Sequence, residues 1–185
     1  MKPEQSRALA YLDRKGTKAS VETVLREVSA AFDLLERRLD ALSGLPTSRR
    51  PVAKSWSLLE IVDHLVESHG PAVDQLRCAL DGADPGPAIL AGLQSAEPNA
   101  KGWSEHVSSL RGVHRAFLAE LSRGGADSQA SEIPIVMVVK TENPSGSSET
   151  LEWIERLHWK AFAVGVKVHT LEHLAQIDRV VALLS

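Results

Sequence analysis

Two histidines four residues apart, His169 and His173, sit in the stretch HTLEHLAQIDRV. In a helix they point the same way, one turn apart. Each can offer a ring nitrogen to one cation at about 2.0–2.1 Å. A pair is too few for chemistry, because a catalytic ion of this kind takes about three protein ligands and keeps a position open. A third ligand must come from another element. The plain alternative is a pair of imidazoles satisfied by hydrogen bonds to neighbouring helices.

Five other histidines are available: His64, His69, His106, His114 and His158. His158 precedes His169 by eleven positions, roughly 16 Å along an unbroken helix, too far to share an ion. His69 lies just before Gly70-Pro71, where the missing N–H should kink or interrupt a helix. His106 lies off the apolar stripe of its segment, and His114 sits at the edge of its own, near Phe117. His64 adjoins Ile61 and Leu65 on the buried side of a helix.

The elements that must position these groups are mostly helical. ASVETVLREVSAAFDLLERRLDALSG carries apolar residues at 3–4 spacing from Val24 to Leu42 and stops at Gly44. WSLLEIVDHLVESH begins a second helix, with Ser57 as N-cap and Glu60 completing a capping box. Residues 99–123 form a third, with Trp103, Val107, Leu110, Val113, Phe117 and Leu121 on one side. The run IPIVMVVK is strand-like, but with no partner strand in view it reads as a packed extended segment. The chain reads as helical again from about Ser148 to Leu184. In this last helix the stripe Phe162, Gly165, Val166, His169, His173, Gln176, Val180 is apolar at both ends and polar between. Residues 1–18 form a short helical lead-in. Four principal helices in one domain spanning residues 1–185 imply an all-α four-helix bundle with long crossing loops.

Composition narrows the partners. The 185 residues carry a formal net charge of -3, which gives no basic surface for nucleic acid. No apolar run is long enough for a membrane span or a signal peptide. Cys78 is the single cysteine, so an internal disulfide or a C-x-x-C motif is impossible. These features point to a cytoplasmic protein. Cys78 has only Arg77 as a basic neighbour and reads as a packed thiol, not a nucleophile.

The segments WSLLEIVDHL and HTLEHLAQI are similar to the patterns W-S-x-x-E-x-x-x-H-L and H-x-x-x-H-x-x-Q-I of DinB/YfiT-like proteins. The resemblance runs from about residue 20 onward. It implies a four-helix bundle holding a divalent metal, zinc or nickel, on one histidine of the second helix and two of the last: here His64, His169 and His173. It implies either hydrolysis by metal-activated water or S-transfer and isomerisation with a low-molecular-weight thiol such as bacillithiol or mycothiol. The substrate is then a small molecule. Glu60, one turn before His64, could orient it or act as a base, although its capping role explains it equally well. Gln176, one turn after His173, could hydrogen-bond into the site. Trp56 is expected to pack the helix start, with a place in the pocket wall as the lesser reading. Trp153 and Trp159 suit a core or a dimer face, and a homodimer is expected. The competing reading is a non-catalytic dimeric binding module whose metal is structural or absent.

Overall fold

The computed structural model describes residues 2–125, 130–142 and 148–184. Helix α1 (Pro3–Leu12) runs into one π-helical turn (Asp13–Thr17), followed by α2 (Val21–Asp40), α3 (Leu58–Leu80) and α4 (Trp103–Arg123). A hairpin of β1 (Ile133–Glu142) and β2 (Ser148–Leu157) precedes α5 (Trp159–Leu184). Around the bundle, α2 touches α4, α4 touches α3, α3 touches α5, and α5 returns to α2. The sequence neighbours α2 and α3 therefore sit on a diagonal, as do α4 and α5. This order brings α3 and α5 side by side.

Local sequence accounts for the boundaries. The Ser20 side chain caps α2 by accepting from Thr23 N–H at 3.2 Å. In α3 the Ser57 hydroxyl accepts from Glu60 N–H at 3.2 Å, and Glu60 Oε2 accepts from Ser57 N–H at 2.8 Å. The capping box is thus complete. At α5 the Nδ1 of His158 accepts from Lys160 N–H at 3.1 Å, so this histidine serves the start of the helix.

Three expectations are corrected. The segment IPIVMVVK has a partner: β1 pairs antiparallel with β2 from Ile133↔Leu157 to Glu142↔Ser148. Residues 148–157 are therefore strand, and the last helix starts only at Trp159. Ile133, Ile135, Met137 and Leu157 turn one face of the hairpin to the core, while Val138 and Ile154 stay 43% and 66% exposed on the other. The third correction concerns Pro71, which lies inside a continuous α3. Pro71 itself is exposed, so the carbonyl left without its helical donor faces the outer side where water can reach it.

Apolar packing falls into two clusters. One holds Val24, Val28 and Phe32 of α2, Leu76 of α3, Phe117 of α4 and Phe162 of α5. The other holds Leu35 and Leu39, Leu58, Ile61, Val62 and Leu65, Leu110, and Ile177 with Val180. Between them α3 contributes Ser68 and His69, α4 contributes His114, and α5 contributes His169, Thr170 and His173. The helices thus interrupt their apolar stripes at one level, and a polar layer crosses mid-bundle.

The π-helical turn is held against α5 at a point of close approach. A Cβ on Gly16 would meet Ala161 N at 2.7 Å, and the obstacle is backbone that cannot rotate away. Gly16→Ala is expected to destabilise the fold by about 1–3 kcal/mol, read as a lower denaturation midpoint at unchanged m-value. An unchanged midpoint would show that this contact does not constrain the fold.

Candidate metal centre

His64 comes from the first half of α3 and is 3% exposed. His169 and His173 come from the facing stretch of α5 and are only partly buried. The three side chains each direct one ligand nitrogen to a common point, all within 4.8 Å of one another. Nε2 of His169 lies 3.1 Å from Nε2 of His64 and 3.0 Å from Nε2 of His173. Nitrogens at about 2.0–2.1 Å from one ion stand roughly 2.9–3.4 Å apart for bond angles between right-angled and tetrahedral. The observed spacing matches that range.

The second nitrogen of each ring is engaged. His64 Nδ1–H donates to the carbonyl of Leu93 at 2.6 Å. His173 Nδ1–H donates to Gln176 Oε1 at 2.8 Å. These bonds leave the Nε2 lone pairs of both rings facing inward. His169 Nδ1 lies 3.1 Å from Nε2 of His69. Three inward nitrogens thus share at most the single hydrogen of His169. That hydrogen can serve only one neighbour well, and a cation satisfies all three.

Burial sets the charge state. It holds His64 below the usual histidine range and His169 well below it, reinforced at His169 by its histidine neighbours. Burial, with His64 nearby, lowers His173 to about 4. All three are neutral near pH 7, the form in which imidazole ligates.

The surrounding residues have sharper roles than their spacing suggested. Glu60 is buried, and its carboxylate is taken by the capping box and by Arg50, whose Nε donates at 2.9 Å. The Arg50 hydrogen bond is the main cause of its lowered pKa. Asp63, the residue before His64, accepts from Ser95 N–H at 2.9 Å and Ser95 Oγ at 2.7 Å. Both carboxylates are thus committed to holding loops. Gln176 does reach the site, through His173. Trp56 packs on the apolar cluster at the start of α3, as expected, and its ring centre also lies 5.0 Å from His64 and 6.3 Å from His173. His106 is buried and donates from Nε2 to the carbonyl of Pro98 at 2.9 Å. It joins Asp63, Gln75 and the Glu60 carbonyl in fastening the 81–102 connection onto the bundle.

Sequence reasoning passed over Leu93 and His69. Leu93 acts through its carbonyl, which side-chain identity does not reveal. Gly70-Pro71 predicts a break just after His69, yet α3 continues and the buried ring reaches His169.

Glu60→Gln separates the two functions proposed for Glu60. It weakens the charged part of the Arg50 bridge while keeping an acceptor for Ser57 N–H. The expected outcome is a stability loss of about 1 kcal/mol with undiminished divalent-ion affinity. A fall in affinity matching that of a ligand mutant would return Glu60 to the site.

No family model matches the chain, and no curated protein matches it by sequence. A solved structure does: YfiT from Bacillus subtilis, described as "a probable metal-dependent hydrolase with an unusual four-helix bundle topology". The match has a TM-score of 0.54 at 13% identity and covers 90% of this chain and 97% of that one. At this identity the likeness is one of fold. No helix among the described residues is long and apolar enough to cross a membrane. The chain therefore has the YfiT-type four-helix-bundle fold, with His64, His169 and His173 gathered where α3 meets α5.

Proposed function

We propose that the protein is a divalent-metal-dependent enzyme acting on a small molecule, with His64, His169 and His173 as the ligands. The observation that carries this reading is the convergence of three imidazole nitrogens, with Nε2 of His169 at 3.1 Å from that of His64 and 3.0 Å from that of His173. Zinc and nickel both suit an all-imidazole set. An ion held by three neutral ligands keeps its full charge, acts as a Lewis acid and makes a bound nucleophile more acidic. His169 and His173 are only partly buried, unlike His64.

The protein's own residues orient the centre. Leu93 and Gln176 fix the tautomers of His64 and His173, and Trp56 forms an apolar wall beside both rings. With Glu60 and Asp63 engaged elsewhere, neither acts as a general base. An ion held by His64, His169 and His173 would supply the activation of the nucleophile, and hydrolysis of an ester or amide by water is the favoured case. The relative of like fold is itself described as a hydrolase. A small thiol attacking an electrophile meets the same requirement. The protein works as a soluble cytoplasmic homodimer in this reading.

Zinc- and nickel-loaded protein should be assayed on activated esters and, separately, on a thiol with an electrophile, beside His64→Ala. Turnover lost in the variant supports the reading, and the productive assay assigns the nucleophile. Turnover equal in variant and wild type would refute metal catalysis at this site. A tightly loaded ion inert in both assays would favour the structural-metal alternative.

A further inference from the structure

Imidazoles continue beyond the three proposed ligands. His169 Nδ1 meets Nε2 of His69 at 3.1 Å. The other nitrogen of His69, Nδ1, is buried without a hydrogen-bond partner. So is Nε2 of His114 on α4. The His114 ring stacks on Phe32 at 3.8 Å and 3°, and Phe32 also stands 6.0 Å from His69. His114 Nδ1–H donates to Glu36 Oε1 at 2.7 Å, and Arg111 Nε lies 3.4 Å from Glu36 Oε2. The groups come from four helices: His169 on α5, His69 on α3, His114 on α4 and Glu36 on α2. The rings of His69 and His114 are 5.7 Å apart, wider than the 5.1 and 5.3 Å of the hydrogen-bonded pairs His64–His169 and His69–His169.

Resting on the metal reading above, we infer that ion occupancy at His64, His169 and His173 switches the tautomer of His69 and joins it to the His114–Glu36 pair. Hydrogen accounting carries the inference. A carboxylate only accepts, so His114 holds its hydrogen on Nδ1 and presents a lone pair at Nε2. Without an ion, His64 and His173 present lone pairs to His169 Nε2, so that nitrogen carries the hydrogen. His169 Nδ1 then accepts from His69 Nε2–H, and His69 Nδ1 is a lone pair. Neither His69 Nδ1 nor His114 Nε2 then has a hydrogen to offer, and both are buried without a partner.

With an ion on His169 Nε2, the hydrogen of that ring must sit on Nδ1. It donates to His69 Nε2, which becomes an acceptor. The hydrogen of His69 must then sit on Nδ1, a donor on the ring that stands 5.7 Å from that of His114. Each ring keeps one hydrogen throughout, so the pair neither takes up nor releases a proton. Burial keeps His69 well below, and His114 below, the usual histidine range, consistent with neutral rings. Loading would therefore give His69 a donor that the free acceptor of His114 can take, and the residues beyond the ligands favour the loaded state. His69 and His114 are positioning residues in this scheme.

The test is nitrogen-15 NMR of the histidine rings in uniformly labelled full-length protein, metal-free and loaded with zinc. The expected result is His69 with its hydrogen on Nε2 without zinc and on Nδ1 with it, while His114 keeps its hydrogen on Nδ1. One unchanged His69 tautomer in both states, with the ligand rings shifted by zinc, would overturn the switch and leave the metal reading standing. Zinc that leaves the rings of His64, His169 and His173 unmoved would overturn both. A second measurement is zinc affinity by chelator competition. His114→Leu should bind about tenfold more weakly, and His114→Gln, which restores an acceptor, should recover most of the loss. Equal affinities for wild type and His114→Leu would also overturn the coupling.

Discussion

Zinc or nickel at a hundredfold excess over its Kd is expected to raise the melting temperature of the wild-type protein by roughly 5–10 °C and to leave His169→Ala unmoved. An ion that binds only the folded state adds about 2.7 kcal/mol at that excess. For a domain of this size each 1 kcal/mol is worth about 2–4 °C. His169 is the most informative position because its Nε2 stands within 3.1 Å of both other inward nitrogens. Its removal leaves two of the three converging nitrogens and strands Nε2 of His69 in the core. The variant should therefore also melt below the metal-free wild type. A full thermal shift in His169→Ala would mean that the stabilising ion binds elsewhere.

The second large effect is on pH. Metal-free protein is expected to lose stability as pH falls from 6.5 to about 4. The sign follows from burial. His64, His114, His169 and His173 have folded pKa values below the ordinary 6.5, with burial the largest cause in each. Between the folded and unfolded values the unfolded chain holds more protons, so acid favours unfolding. The stability these groups contribute is present above 6.5 and lost as pH drops toward the folded value. A displacement of His173 from 6.5 to about 4 is alone worth on the order of 3 kcal/mol. Urea midpoints of metal-free protein at several pH values between 4.5 and 7.5 measure this directly. A flat profile over that interval would show that the rings are solvated and not packed in a polar mid-bundle layer.

Much of this organisation could be read from residue order. The 3–4 spacing of Val24, Val28, Phe32, Leu35 and Leu39 marked α2, and Ser57 with Glu60 marked the start of α3. The pairing of α3 with α5 brings His64 to His169 and His173, as the resemblance of two short motifs implied. The hairpin was harder to read. In SETLEWIERL, Leu151, Ile154 and Leu157 mimic a helical spacing, and Glu and Leu favour helix. Only pairing with β1 makes Ile154 an outward residue. Tertiary pairing overrode local preference there.

The limits at the site have similar causes. Pro71 suggested a break, but an exposed proline costs a helix less than a buried one, and α3 carries His69 inward. The contacts His64–Leu93 and Asp63–Ser95 join positions about thirty residues apart through loop backbone. Periodicity holds no signal for such bonds. Trp56 precedes the cap, where helical spacing does not predict direction, and only the assembled bundle places it beside two imidazoles.

The most direct test of the central claim is the metal content of untagged protein by elemental analysis, after growth with zinc and nickel supplied. Wild type, His64→Ala, His169→Ala and His173→Ala should be compared. The three-histidine centre predicts about one divalent ion per chain in the wild type and loss in every variant. Wild-type protein without metal, or an ion retained in all three variants, would contradict it.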